Sequence, residues 1–201
     1  MTETASKSIP DNLLALQPML HKNTILIPNE FGDGKVFREL SWAISWVKRN
    51  FFEDEERRIV LRFNGVGGSV SDMFACVDLL RLEAEDGTEI AGYLYGESAS
   101  AHSVLWAACP FRYVLMHSML SIHSAALWST KYLGHSDLRA YEREVRESNR
   151  RMAQIYADAC ADPKWDQDYW FLKLEDHPST TFNLYPDDIV DTYGMAERYE
   201  V

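Results

Sequence analysis

Apolar positions along the chain switch repeatedly between two spacings. Thr24–Pro28 (TILIP) is a short β-branched run that reads as a strand. Val36–Asn50 then places Val36, Leu40, Ala43, Ile44 and Val47 at intervals of three and four, the signature of a helix with one buried face. Arg58–Phe63 (RIVLRF) predicts a second strand, and a glycine-rich turn after it leads into a helical pattern that runs to Leu82. Ile90–Tyr95 (IAGYLY) predicts a third strand, followed by a turn of small residues and a helix at Ala101–Ala108. Arg112–Met116 and Met119–Ile122 read as two more short strands. Ser136–Ala161 is the longest predicted helix, with Ser136 as cap, Leu138, Tyr141, Val145, Met152 and Ile155 on one face, and Pro163 as its stop. Asp11 caps a short helix over Asn12–Leu20, and Pro186–Tyr193 reads as a helix closed by Gly194.

Strands alternating with helices predict an α/β protein with a parallel sheet and right-handed crossovers. Residues 1–10 are small and polar and read as a flexible segment, and residues 11–201 read as a single domain without an internal linker. At 201 residues the chain is long enough for a substantial core. Its formal net charge of −11 argues against a nucleic-acid surface, which needs clustered cations to displace counterions from phosphates. No apolar run approaches the roughly 20 residues that span a bilayer, and the N-terminus lacks the pattern of a signal peptide. Cys76, Cys109 and Cys160 are widely spaced and form no C-x-x-C pair, which reads as reduced, structural thiols. The expected location is the cytoplasm.

Three local features carry chemistry. In Phe63–Val70 (FNGVGGSV) glycines after a strand let the backbone turn sharply and aim N–H groups into a cleft, where they would hold a phosphate or an oxyanion. The turn lacks the spacing of nucleotide-binding loops. In Gly96–Ser103 (GESASAHS) a glycine-led turn enters a helix; a serine there is either a helix cap or an exposed nucleophile. His123 ends an apolar run and reads either as a buried core histidine or as a base.

Together these residues resemble the proteolytic subunit of the Clp protease family, which has the crotonase-like fold with a protruding handle helix. The segments that carry the likeness are Asn64-Gly65-Val66-Gly67-Gly68-Ser69-Val70, Gly96-Glu97-Ser98-Ala99-Ser100-Ala101, Arg112-Tyr113-Val114-Leu115 through Ser121-Ile122-His123, and Asp188–Met195. They recur in the family's order over about residues 12–196. The resemblance implies that Ser100 is the nucleophile of a serine peptidase, His123 its general base, and the N–H groups of Gly68 and Ala101 its oxyanion hole. It also implies a ring of identical subunits, heptameric or a double ring, an AAA+ Clp ATPase as unfoldase partner, and a protein or peptide substrate. The chain itself would need no cofactor, ATP being consumed by the partner. The long helix takes the place of the handle.

The chain departs from the family pattern in several places. Where the family carries its third catalytic residue, an Asp, the matching stretch Ser179–Leu184 has no carboxylate; Asp176 is the nearest substitute, with Glu175 behind it. Val66 replaces a proline, and Ser124–Tyr132 replaces a glycine-rich strand. A non-catalytic Clp-like subunit or scaffold is therefore the alternative. An acyl-CoA hydratase on the same fold, a Ser/Lys dyad using Lys131, and His102 as a local base are further readings. The aromatic group Trp165, Tyr169, Trp170 and Phe171 is read as a subunit interface in preference to core.

Overall fold

A computed structural model of the chain describes residues 20–52, 57–126, 134–176 and 181–199. The expected flexible segment 1–10, the helix expected from Asn12 (apart from Leu20) and most of the segment 124–132 lie outside these residues.

In chain order the elements are β1 (Leu20–His21), β2 (Thr24–Leu26), β3 (Glu30–Phe31), α1 (Lys35–Phe51), β4 (Arg58–Gly65), β5 (Gly67–Gly68), α2 (Val70–Glu85), β6 (Glu89–Ala99) and α3 (Ala101–Ala107). They continue as β7 (Phe111–Val114), β8 (Met119–Ile122), α4 (His135–Ala159), α5 (Gln167–Asp176), β9 (Phe182–Leu184), a π-helical turn (Asp188–Thr192) and β10 (Glu197–Arg198). The main sheet runs β1-β2-β4-β6-β7-β10, with β8 joined to β6 and β9. Most neighbours are parallel, as the alternation of strands and helices predicts. The antiparallel pairs β1/β2 and β8/β9 make the sheet mixed where full parallelism is expected. The strands nearest the centre have alternating or continuous apolar residues: Ile59, Leu61 and Phe63 of β4 and Ile90, Ala91 and Leu94 of β6 are fully buried. They pack against the apolar faces of α1, α2 and α3.

One strand positions the rest. β6 is 11 residues long and uses one edge twice, pairing with β7 through Ala91–Leu94 and then with β8 through Glu97–Ala99. Its C-terminal half therefore carries the end of β8 alongside the start of α3. A separate two-stranded sheet, β3 with β5, holds the glycine turn, with Phe31 opposite Gly68.

A buried carboxylate ties these parts together. α1 starts after Gly34 in a left-handed conformation and has no side-chain cap of its own. Asp72 of α2, 2% exposed, accepts hydrogen bonds from the amides of Gly32 (3.1 Å), Val36 (3.2 Å) and Phe37 (3.0 Å), so one helix supplies the missing cap of another. Arg112 of β7 does similar work with its guanidinium. It donates to the carbonyls of Met195 (2.6 Å), Ala159 (3.2 Å) and Cys109, joining β7 to α4 and to the C-terminal segment.

Several sequence expectations change. α4 is capped by Asp137, which reaches back to the Gly134 amide at 2.9 Å, and not by Ser136. Only its second half packs on the body: Asn149, Met152, Ala153, Ile155, Tyr156 and Ala159 are buried, whereas Leu138 is 52% exposed. Among the described residues the first half is mostly exposed, with Tyr141 and Val145 of the apolar stripe half-buried. Of the aromatic group, whose Trp165, Tyr169 and Phe171 are half-buried against the core, Trp170 is fully buried and packs on Tyr156, Tyr169 and Tyr193. It lies on α5, an element the periodicity does not announce. Gly194, at φ +62°, closes the π-helical turn, with the Met195 amide bonded to the Ile189 carbonyl.

Replacing the shared cap tests this account. Asp72→Ala strands three amides at the start of α1 and is expected to cost about 2–3 kcal/mol in urea unfolding. Asp72→Asn, which keeps an acceptor oxygen, should cost less.

Candidate active site

β6 passes into α3 through a single residue, Ser100. No loop separates the two, so Ser100 takes φ 55° and ψ −124°, a conformation that side chains other than glycine rarely adopt. Its amide is held by the Ser121 carbonyl at 2.9 Å, and its carbonyl accepts from the amides of Ser103 (2.9 Å) and Val104 (3.3 Å) and from Ser103 Oγ (2.6 Å). Ser100 stands at the cap position of α3, yet its side chain makes no capping hydrogen bond. The hydroxyl is left for another task, and the helix-cap reading of this serine gives way. Ser98 is buried inside the sheet.

The glycine turn lies directly against this corner. A Cβ on Gly67 would come within 2.6 Å of Ser100 Cβ and 2.7 Å of the Ala101 nitrogen, and one on Gly68 would collide with the Phe31 carbonyl at 2.2 Å. Both glycines have positive φ, 97° and 133°. Here glycine is required twice over, by conformation and by contact.

Gly68, Ser100, Ala101 and His123 line one cavity of about 180 Å³, with Val70, Met73 and Met152 as its apolar wall. It adjoins a larger cleft of about 720 Å³ that shares Gly68, Val70, Ala125 and Ala126 and runs along α4 past Arg143 and Arg151. The structure thus brings together four of the five residues singled out in the sequence. Among the described residues no hydrogen bond joins Ser100 to His123. Such contacts are often long before substrate arrives. His123 is half-buried, and its Nδ1 lies 2.7 Å from the Ser124 carbonyl. A carbonyl only accepts, so Nδ1 carries the proton and Nε2 keeps a lone pair. That is the tautomer a general base needs.

Asp176 is exposed at the C-terminal end of α5, and His123 Nδ1 meets a backbone carbonyl in place of a carboxylate. His102, weighed as a local base, faces away. It is fully buried, its Nε2 lies 2.6 Å from the Pro28 carbonyl, and Phe31 and Phe63 pack edge-on against it. Lys131 lies outside the described residues. No group of three or more His, Cys, Asp or Glu suited to a metal ion occurs among the described residues.

Sequence reasoning missed the residues that hold the corner. Ser103 Oγ, which donates to the Ser100 carbonyl, lies 2.7 Å from the buried hydroxyl of Tyr156 on α4. Asn149, buried in the middle of a charged helix, accepts from the Ala125 amide at 2.8 Å and donates to Glu175 at 2.9 Å. A lone Asn among Glu and Arg was the available signal, but its partners come from distant segments.

A mostly parallel sheet covered by helices, with a serine held at a strand-to-helix corner beside a glycine turn, defines an α/β protein of the Clp type. The family model of Clp protease matches residues 6–169, most of the chain, and this protein belongs to that family. No curated protein matches it significantly. Membership displaces the acyl-CoA hydratase reading.

His102 makes a pH test of the corner. Burial pushes its pKa below the ordinary value near 6.5, and the bond to the Pro28 carbonyl opposes this only in part. The unfolded chain therefore binds more protons than the folded one as pH falls below about 6.5, so this contribution to stability is complete above that pH and declines beneath it. Urea midpoints of the wild type should fall between pH 7.5 and 5 more steeply than those of His102→Gln; parallel curves would refute the assignment.

Proposed function

We propose that the protein is a serine peptidase subunit of the Clp type that cleaves peptide bonds within an oligomeric ring. The observation that carries this reading is the corner itself: a strained serine, free of capping duty, shares a small cavity with an imidazole whose Nδ1 proton is already committed. In this mechanism Ser100 Oγ attacks the scissile carbonyl while His123 Nε2 takes its proton. The Gly68 and Ala101 amides receive the oxyanion, and His123 returns the proton to the leaving amine. Water then releases the acyl group by the same steps in reverse. The apolar wall of Val70, Met73 and Met152 suits an apolar side chain beside the cleaved bond.

Clp proteases generally form rings, and the mostly exposed first half of α4, with Leu138 on it, supports contact between copies of this chain. An AAA+ unfoldase is the partner proposed to feed protein substrates, and no cofactor is needed in this subunit. Cys76, Cys109 and Cys160 are free thiols, in keeping with a cytoplasmic setting. No helix among the described residues is long and apolar enough to cross a membrane. The second reading, a non-catalytic subunit, is favoured by one observation: among the described residues no carboxylate is hydrogen-bonded to His123.

Labelling with an alkyl fluorophosphonate separates the two. The assembled wild type should be modified at Ser100, Ser100→Ala should not react, and His123→Ala should react slower by about 10³ or more. A folded, ring-assembled wild type that takes up no label would leave only the scaffold reading.

A further inference from the structure

Among the described residues no carboxylate is bonded to His123 directly, yet it is connected to one. Its Nδ1–H donates to the Ser124 carbonyl at 2.7 Å. That carbonyl and the Ala125 N–H belong to the same peptide unit. The Ala125 N–H donates to Asn149 Oδ1 at 2.8 Å, and Asn149 Nδ2 donates to Glu175 Oε1 at 2.9 Å. Three hydrogen bonds thus run head to tail from the imidazole, through one peptide group and one side-chain amide, to a carboxylate on α5.

Resting on the peptidase reading, we propose that Glu175, acting through Asn149 and the Ser124–Ala125 peptide unit, is the positioning carboxylate of His123. Each amide is polarised by the acceptor beyond it: the negative charge at Glu175 strengthens Asn149 as an acceptor, and the bonded Ala125 N–H makes the Ser124 carbonyl a stronger acceptor toward Nδ1–H. Aligned chains of this kind reinforce each bond by about 10–30%. The relay fixes the imidazole tautomer and orients the ring, and it offers the imidazolium formed during catalysis a polarised oxygen in place of a full charge. Asn149 is 2% exposed and Glu175 half-buried, so water competes weakly for these bonds. Arg146 and Glu142 of α4 face the same surface cavity as Glu175, one of each sign.

The family's direct contact is thereby replaced by a longer path built from a helix residue and the end of α5. Asn149 and Glu175 act on His123, not on substrate. The effect is accordingly smaller than the about 10⁴ lost when a directly bonded triad carboxylate becomes an amide.

Two readouts on the assembled protein test the relay. In the NMR spectrum the His123 Nδ1–H resonance, assigned by its absence from His123→Gln, should move upfield in Glu175→Gln and in Asn149→Ala and return toward its wild-type position in Glu175→Asp. The rate of Ser100 labelling by an alkyl fluorophosphonate should fall about tenfold in Glu175→Gln, with partial recovery in Glu175→Asp and unchanged thermal unfolding. A resonance that stays in place in Glu175→Gln overturns the relay whether or not Ser100 reacts. Absence of labelling in the wild type, with the resonance moving as expected, refutes the peptidase reading alone and leaves the relay as a structural link.

Discussion

The architecture of this protein depends on a junction with no slack. β6 enters α3 through one residue, and the chain can change direction there only if that residue accepts a positive φ. The strain is of order 1–3 kcal/mol and persists because the surroundings over-determine it. The Ser121 carbonyl holds the Ser100 amide, three donors hold its carbonyl, and Gly67, without a side chain, presses against its flank. Any of these neighbours with a larger side chain or a different register would let the corner relax, and the hydroxyl would turn out of the cavity.

From this junction the remaining features follow in sequence. The glycine turn must lie close to Ser100, so β5 is pinned by β3, and β3 in turn sits beside the start of α1 that Asp72 caps. His123 reaches the same cavity because β8 pairs with the far half of β6 while β7 takes the near half. α4 closes the site from outside through Tyr156 and Asn149, one bonded behind the serine and the other behind the histidine. A single helix therefore backs both Ser100 and His123. Coupling between assembly and site geometry would pass along this helix, since its two halves are one continuous hydrogen-bonded rod.

Much of the fold was legible because period and chemistry agreed. RIVLRF alternates, with Ile59, Leu61 and Phe63 on its buried face, IAGYLY is a nearly continuous apolar run, and both are central strands. The 3-and-4 spacing in α1 corresponds to its buried face: Val36, Leu40, Ala43, Ile44 and Val47 all pack inward. Less legible were elements whose burial depends on partners far away in the chain. α5 carries aromatic residues on several sides because Tyr156 and Tyr193 enclose it, so no amphipathic stripe marks it. Leu138 lies on a regular apolar stripe yet is 52% exposed among the described residues.

By itself the sequence determined the α/β alternation, the glycine turn, the small-residue corner and the order of the family motifs, because each is written in local spacing or in a residue type that one backbone conformation demands. Tertiary structure alone decided which hydroxyl is free of capping duty, which histidine faces the cavity and which tautomer it holds. It also decided that the nearest carboxylate in the chain, Asp176, is exposed while its neighbour Glu175 is tied to Asn149. Those outcomes depend on hydrogen bonds between groups dozens of residues apart, and a one-residue difference along a helix turns a side chain by about 100°, which no reading of spacing near His123 can anticipate.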